Sequence, residues 1–367
     1  MKKVKLYVFV CLSFICATLN MFIGGCSSQS NDTDNTDNID ITDNLPQSAI
    51  SSISSDDGVS NFIEEESTET SDTSETTEPE PTEMEKDFAI DTDTEYGIME
   101  IYVFDIGKAD AILITTENHT VMIDTGENKH GAKIAEYLLS RDITEIDYLI
   151  ITHFHKDHVG GADTIIRNFD VKEIIVPDYG KQSKQYAQFV SAMLTMNLKP
   201  NILTETTEFT LDNAIFTVYP PQLEYYDYSG DDANNEDVDN EDESISNEND
   251  FSIVISVTHG SNNFLFTGDA MDERLGELLS DEDIMTTAYD YLKVPYHGRY
   301  NERNIEFINA IKPQYAVITC SSDSSDGSGD ERVVSALEEA GAEVYLTTNG
   351  NVYCVSNGDL MMIKYMK

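Results

Sequence analysis

Leu149-Ile150-Ile151-Thr152 is a run of apolar or β-branched residues that leads directly into His153-Phe154-His155-Lys156-Asp157-His158. A strand therefore carries three imidazoles and a carboxylate to its end. Side chains this polar are costly to bury, so a compact fold gathers them to bind something and not to pack. Imidazole combined with carboxylate suits divalent zinc, iron or manganese. The motif constrains the whole chain, because the remaining ligands must come from distant segments to the same strand end.

Composition divides the sequence sharply. The formal net charge of -47 owes its largest share to a stretch from Ser27 to Glu95, in which Lys86 is the only base. Asp, Glu, Ser, Thr and Asn dominate it, and it cannot bury enough apolar surface to offset chain entropy. Residues 26–96 are accordingly expected to be a disordered acidic linker. Ahead of them, Lys2, Lys3 and Lys5 precede an apolar run and then Gly24-Gly25-Cys26. Residues 1–25 resemble a bacterial lipoprotein signal peptide, in which small residues before a cysteine permit cleavage and Cys26 then carries lipid. A plain transmembrane anchor is the alternative, since the run approaches the roughly 20 residues that span a bilayer. Either reading puts the rest of the chain on the outer face of the cytoplasmic membrane, extracellular. Cys320 and Cys354 remain in the folded part, in different expected strands, with their pairing open.

Residues 97–367 read as one domain. Strands are expected at 99–104, 111–115, 119–124, 146–152 and 171–177, and again at 208–211, 214–220, 251–258, 262–267, 291–295, 315–319 and near Val344 and Val352. Helical spacing marks 132–140, 161–169, 183–198, 272–279, 305–311 and 331–340. Residues 227–250 form an acidic interruption, expected to be a solvated surface insertion. A calcium loop is the alternative there, but the carboxylates lack EF-hand spacing and its turn glycine. Two groups of β and α elements fit an αββα sandwich, an α/β architecture with sheets face to face and helices outside.

Four strand ends carry ionisable groups: Asp124, the His153–His158 run, Asp269 and His297. With its complete His-x-His-x-Asp-His, the sequence resembles the metallo-β-lactamase superfamily. Phe104-Asp-Ile-Gly-Lys-Ala-Asp110, Met122-Ile-Asp-Thr-Gly126, Leu265-Phe-Thr-Gly-Asp269 and Leu292-Lys-Val-Pro-Tyr-His-Gly298 are similar to successive motifs of the soluble hydrolase domain of ComEC-type competence proteins. This resemblance implies a binuclear hydrolase fold. It assigns His153 and His155 to a first metal, Asp157, His158 and His297 to a second, and Asp269 to both, with Asp157 also the candidate for a catalytic role. It implies two divalent ions, zinc first with manganese or iron as alternatives, and hydroxide as nucleophile.

The sequence departs from that pattern in places. The third protein ligand of the first metal is not identified. His259 lies in an expected hairpin turn and is expected at the surface, as are His119 and His130. Asn249-Asp250-Phe251-Ser252 resembles a family segment that would let Asp250 approach the metals. Tyr296 replaces the first of the family's paired histidines, either donating to a substrate oxygen or packing. Residues 321–330 occupy a family loop but contain no histidine. Asp124 and Asp110 are expected to hold ligands in place. Lys293 either meets a substrate anion or lies solvated on a strand.

A lipid-anchored phosphodiester hydrolase is the leading expectation, with a nuclease as one form of it. Outside the linker and insertion, acids still outnumber bases about two to one, which disfavours a long duplex because polyanion binding rests on Lys and Arg. A small phosphodiester, a cell-wall polymer or single-stranded nucleic acid fits better. A lactonase or other ester hydrolase is a second reading, and a non-catalytic surface binding protein a third.

Overall fold

Alternating burial along the strands builds the molecule in layers. A computed structural model describes residues 90–91, 94–222 and 248–366. The expected signal peptide, Cys26, nearly all of the acidic linker and residues 227–247 of the insertion lie outside the described residues.

In chain order the first group of elements is β1 (Met99–Val103), β2 (Ile112–Thr115), β3 (Thr120–Ile123), α1 (Gly131–Ser140), β4 (Glu145–Ile150), α2 (Lys156–Val159), α3 (Ala162–Asn168), β5 (Asp170–Pro177), α4 (Lys184–Thr195) and β6 (Pro200–Leu203). The second group is β7 (Thr207–Leu211), β8 (Ala214–Tyr219), β9 (Val254–His259), β10 (Asn262–Phe266), α5 (Asp272–Ser280), α6 (Glu282–Thr286), β11 (Tyr291–Lys293), α7 (Glu302–Ile311), β12 (Tyr315–Ile318), α8 (Glu331–Ala340) and β13 (Glu343–Leu346). The chain then returns to the first group through β14 (Asn351–Ser356) and β15 (Met361–Met366). One sheet runs β15-β14-β1-β2-β3-β4-β5-β6 and the other β13-β12-β11-β10-β9-β8-β7.

Period-2 alternation sorts each strand between layers. Ile101 and Val103 of β1 join Phe216, Ile255, Phe264 and Phe266 in the core between the sheets. Tyr102, between them, faces the outer layer with Leu138, Ile165 and Phe189 from the helices. Leu265 and Leu292 do the same for the second sheet, packing with Leu275, Phe307 and Leu337. The result is the expected αββα sandwich.

Helical crossovers make the central strands parallel, as β3-β4-β5 and as β10-β11-β12. Their carboxyl ends therefore lie along one edge of each sheet. The two edges are tied together where Ile253 N donates to Thr152 O at 3.0 Å. That junction is where Asp124, His153, Asp269 and His297 emerge.

Several expectations require correction. Edge strands β6 and β15 lack the apolar alternation by which strands are read, because Asn201 and Ile202 are exposed and most of β15 is half-buried. Cys320 and Cys354 are both buried and free, so they do not pair, and Cys320 follows β12 instead of lying within a strand. The acidic insertion ends earlier than expected. Glu248–Phe251 form a helical turn in which Asn249 and Asp250 are buried.

Asp250 is buried because it caps α5, accepting from Arg274 N at 3.1 Å. Burial pushes its carboxyl up to about 7, with Asp272 and Glu273 adding to the rise and the N–H groups of Arg274 and Met271 opposing it. A folded-state value above the unfolded one means that stability is fully present below about 4 and is lost as pH rises through 7. Asp250→Asn keeps the acceptor and removes the charge. Its melting temperature should match wild type near pH 4 and exceed it at pH 8, by on the order of 5 °C; equal melting temperatures at pH 8 would contradict this reading.

Candidate metal centre

β4 ends at Ile150, and Ile151 to Phe154 continue without regular structure before α2 begins at Lys156. His153 thus leaves the strand end, His155 precedes the helix, and Asp157 and His158 occupy its only turn. Asp269 follows β10 through Gly268, whose φ is 53; a Cβ there would sit 3.0 Å from the Thr152 side chain, so the position suits glycine alone. His297 follows β11 in a turn where both Tyr296 and His297 have left-handed backbone, φ 49 and 52. Asp124, at the end of β3, is also left-handed with φ 56. Such strain in residues other than glycine persists only where the surroundings enforce it.

Hydrogen bonds dictate which nitrogen each imidazole offers. The Thr152 hydroxyl donates to Asp124 Oδ2 at 2.7 Å, and Thr152 N donates to Oδ1 at 2.8 Å. Having given its one proton to Asp124, that hydroxyl accepts from His153 Nδ1 at 3.0 Å. His158 Nδ1 donates directly to Asp124 Oδ2 at 2.8 Å. The same arrangement holds His297, with its carboxylate reaching across from the first sheet. Thr319 Oγ1 donates to Asp110 Oδ1 at 2.6 Å, and both its hydroxyl and its carbonyl lie 3.0 Å from His297 Nδ1. The Nε2 lone pairs of His153, His158 and His297 are consequently directed into the space between the sheets.

Those lone pairs meet carboxylates there. His158 Nε2 lies 3.2 Å and His297 Nε2 3.1 Å from Asp269 Oδ2, and Asp157 Oδ2 is 3.5 Å from His297 Nε2. Ligand atoms of His153, His158 and Asp269 form one set within 4.8 Å, and those of Asp157, His158 and His297 a second. His155 points Nδ1 at His153 Nε2, 3.0 Å away. Tetrahedral ligands about 2.1 Å from one ion are themselves about 3.4 Å apart, so these spacings fit.

Two observations test whether cations belong here. Nε2 of His158, Nε2 of His297 and Oδ1 of Asp269 are buried without a hydrogen-bond partner, which is costly unless something else binds them. Moreover, the site gathers four buried carboxylates, Asp110, Asp124, Asp157 and Asp269, against one buried ammonium, Lys293. Their field is strong enough to reverse the effect of burial. Burial disfavours charge on His158 and His297, yet Asp269, with Asp124 and Asp110 respectively, holds both above the ordinary histidine range. Burial would likewise raise Asp157 and Asp269, but the same imidazoles hold both carboxyls well below theirs. Excess negative charge and inward lone pairs fit divalent cations.

The remaining candidates fall elsewhere. Asp110 and Asp124 act through Thr319, Thr152 and His158, as described. Lys293 is neither solvated nor available to substrate: it is fully buried, pairs with Asp110 and donates to Gly268 O at 2.9 Å. Asp250 belongs to the α5 cap and to none of the ligand sets among the described residues. The Tyr296 phenol accepts from Arg299 Nη1 at 2.6 Å, and Arg299 Nε donates to Asp326 O, fastening the histidine-free loop beneath His297. His259 is buried, not exposed, and bonds Ser356 Oγ and Tyr96 O at the opposite end of β10 from Asp269. His119 and His130 are half-buried; His119 pairs with Asp147 and His130 Nδ1 accepts from Glu127 N. Thr152, Thr319 and Glu248 are additions that spacing alone does not reveal, although Thr152 directly precedes the motif.

Asp124→Asn should weaken divalent metal binding by about 10- to 100-fold in chelator competition while leaving the far-ultraviolet circular dichroism unchanged, because an amide cannot serve all three donors. Wild-type affinity in this variant would show that Asp124 does not hold the ligands.

The sequence pattern of the Metallo-beta-lactamase superfamily matches residues 105–321. ComE operon protein 3 of Bacillus subtilis (strain 168) is 22% identical over 272 residues, which cover 69% of this chain and 32% of that protein. Recombination protein 2 of Haemophilus influenzae is 24% identical over 226 residues, covering 60% of this chain and 24% of that one. The chain therefore spans about a third or less of the length of these relatives. Among solved structures, the metallo-β-lactamase fold protein YhfI from Bacillus subtilis aligns over 73% of this chain and 100% of its own, with a TM-score of 0.43 and 10% identity. The chain belongs to the metallo-β-lactamase superfamily, with ComEC-type competence proteins among its homologues, and is a metal-dependent hydrolase.

Proposed function

We propose that this protein is a two-metal phosphodiester hydrolase held on the outer face of the cytoplasmic membrane by lipid on Cys26. The observation that carries the two-metal reading is that Asp269 shares one ligand set with His153 while its Oδ2 lies 3.1 Å from His297 Nε2 of the other. One carboxylate there faces both ligand sets. His153, His155 and Asp269 would hold the first ion, and Asp157, His158, His297 and Asp269 would hold the second. Zinc suits this donor set, as do manganese and iron. When bound, two such ions lower the pKa of a shared water and neutralise charge developing on a phosphoryl oxygen.

The protein's own groups do the rest. Asp157 is the most exposed carboxylate of the ring, and it accepts a hydrogen bond from the attacking water and orients it. Lys108, part-exposed with Nζ 3.8 Å from Asp157 Oδ2, supplies positive charge beside it. It takes the part that buried Lys293 cannot. The competence-protein homologues favour a phosphodiester, and the acidic surface favours a small diester, a cell-wall polymer or a single strand over a duplex.

Purified protein should cleave bis-p-nitrophenyl phosphate, and Asp157→Ala should lower turnover by about a hundredfold or more. Cleavage of lactones or p-nitrophenyl acetate without the phosphodiester would favour the ester-hydrolase reading, and no turnover of either would favour a binding protein. In cells, radiolabelled fatty acid should be incorporated into the wild-type protein and not into Cys26→Ser; labelling of both or of neither would contradict lipid anchoring on Cys26.

A further inference from the structure

Asp124 or Asp110 fixes His153, His158 and His297, directly or through a threonine, but neither reaches His155. Its Nδ1 faces His153, and its Nε2 points away, to Glu248 Oε2 at 3.2 Å. Glu248 is itself held from two further sides. Tyr179 donates its hydroxyl proton to Glu248 Oε1 at 2.8 Å, and the same phenol oxygen accepts from Phe154 N at 2.7 Å. Lys181 Nζ pairs with the second carboxylate oxygen, Oε2. The Glu248 side chain is 12% exposed, so these contacts are screened little by solvent.

The geometry assigns Glu248 as the positioning residue for His155. By accepting the Nε2 proton, Glu248 fixes the tautomer that leaves the Nδ1 lone pair free for the first metal. The Tyr179 bridge adds a second constraint, because Phe154 lies between His153 and His155 in the chain. One carboxylate therefore sets both the ring of His155 and the backbone that spaces the two ligands. A glutamate that could be read as the last part of a solvated acidic insertion is in this way part of the metal site. The inference rests on the two-metal reading above.

Glu248→Ala and Glu248→Gln in the full chain test it, with metal binding followed by chelator competition and by the absorption of the cobalt-substituted protein. The alanine variant should weaken one of the two binding events by about 10- to 100-fold and alter the cobalt spectrum, leaving the other event near wild type. Glutamine, whose amide oxygen still accepts from Nε2, should restore most of that affinity. Wild-type affinities in the alanine variant would overturn the assignment, as would equal impairment of alanine and glutamine. So would equal loss of both binding events together with a fall in melting temperature, which marks a merely structural role. If the alanine variant fails to fold, Tyr179→Phe, which releases Glu248 from the Phe154 backbone, should weaken the same event by several-fold; an unchanged value would overturn the assignment. Wild-type protein that takes up no metal would defeat the two-metal reading as well, whereas normal wild-type binding with an unaffected alanine variant defeats this assignment alone.

Discussion

The Asp124 carboxylate is the interaction on which the site depends. It takes three donors within 2.8 Å, the backbone N–H and hydroxyl of Thr152 and the imidazole of His158. Burial pushes the Asp124 carboxyl above its ordinary value, and His158 opposes the rise. With three donors converging, the ionised form is the one the hydrogen bonds require. Two ligands from different turns of the chain are thereby locked to one point. The left-handed backbone of Asp124 is the local cost of aiming that carboxylate across the strand ends.

His297, from the second sheet, is held by the same chemistry with a carboxylate supplied by the first sheet. Asp110, Thr319 and His297 repeat the acid-hydroxyl-imidazole relay of Asp124, Thr152 and His153. Because a hydroxyl has one proton to give, each relay imposes a direction and leaves Nε2 as the free acceptor. Lys293 steadies Asp110 and lies 3.7 Å from Asp269, so it partly offsets the acids without filling the ligand space. Neither sheet alone holds a complete set of donors. The sandwich is what brings them to a common edge.

Much of this is legible in the sequence. His-x-His-x-Asp-His after an apolar run, Thr-Gly-Asp and Tyr-His-Gly each mark a strand end, and the two β/α groups imply the layered architecture. Burial of paired polar groups is not legible, because their partners are remote. Thr319 and Asp110 are 209 positions apart, and no local pattern announces that a strand lysine such as Lys293 will meet an aspartate inside the fold. His259 escapes for the same reason, since Ser356, its partner, lies 97 positions away on β14. Glu248 sits at the end of an acidic run whose composition predicts solvent, and only the folded chain shows Tyr179, Lys181 and His155 closing around it. Edge strands β6 and β15 are hidden because half-exposed strands lose the alternation that betrays the central ones.

The most direct measurement is the metal content of the purified full-length chain by inductively coupled plasma mass spectrometry, before and after dialysis against a chelator and reloading. Near two equivalents of a divalent transition metal are expected, lost on chelation and recovered on reloading. A content that never exceeds one equivalent, or no metal at all, would contradict a centre in which Asp269 serves two ions.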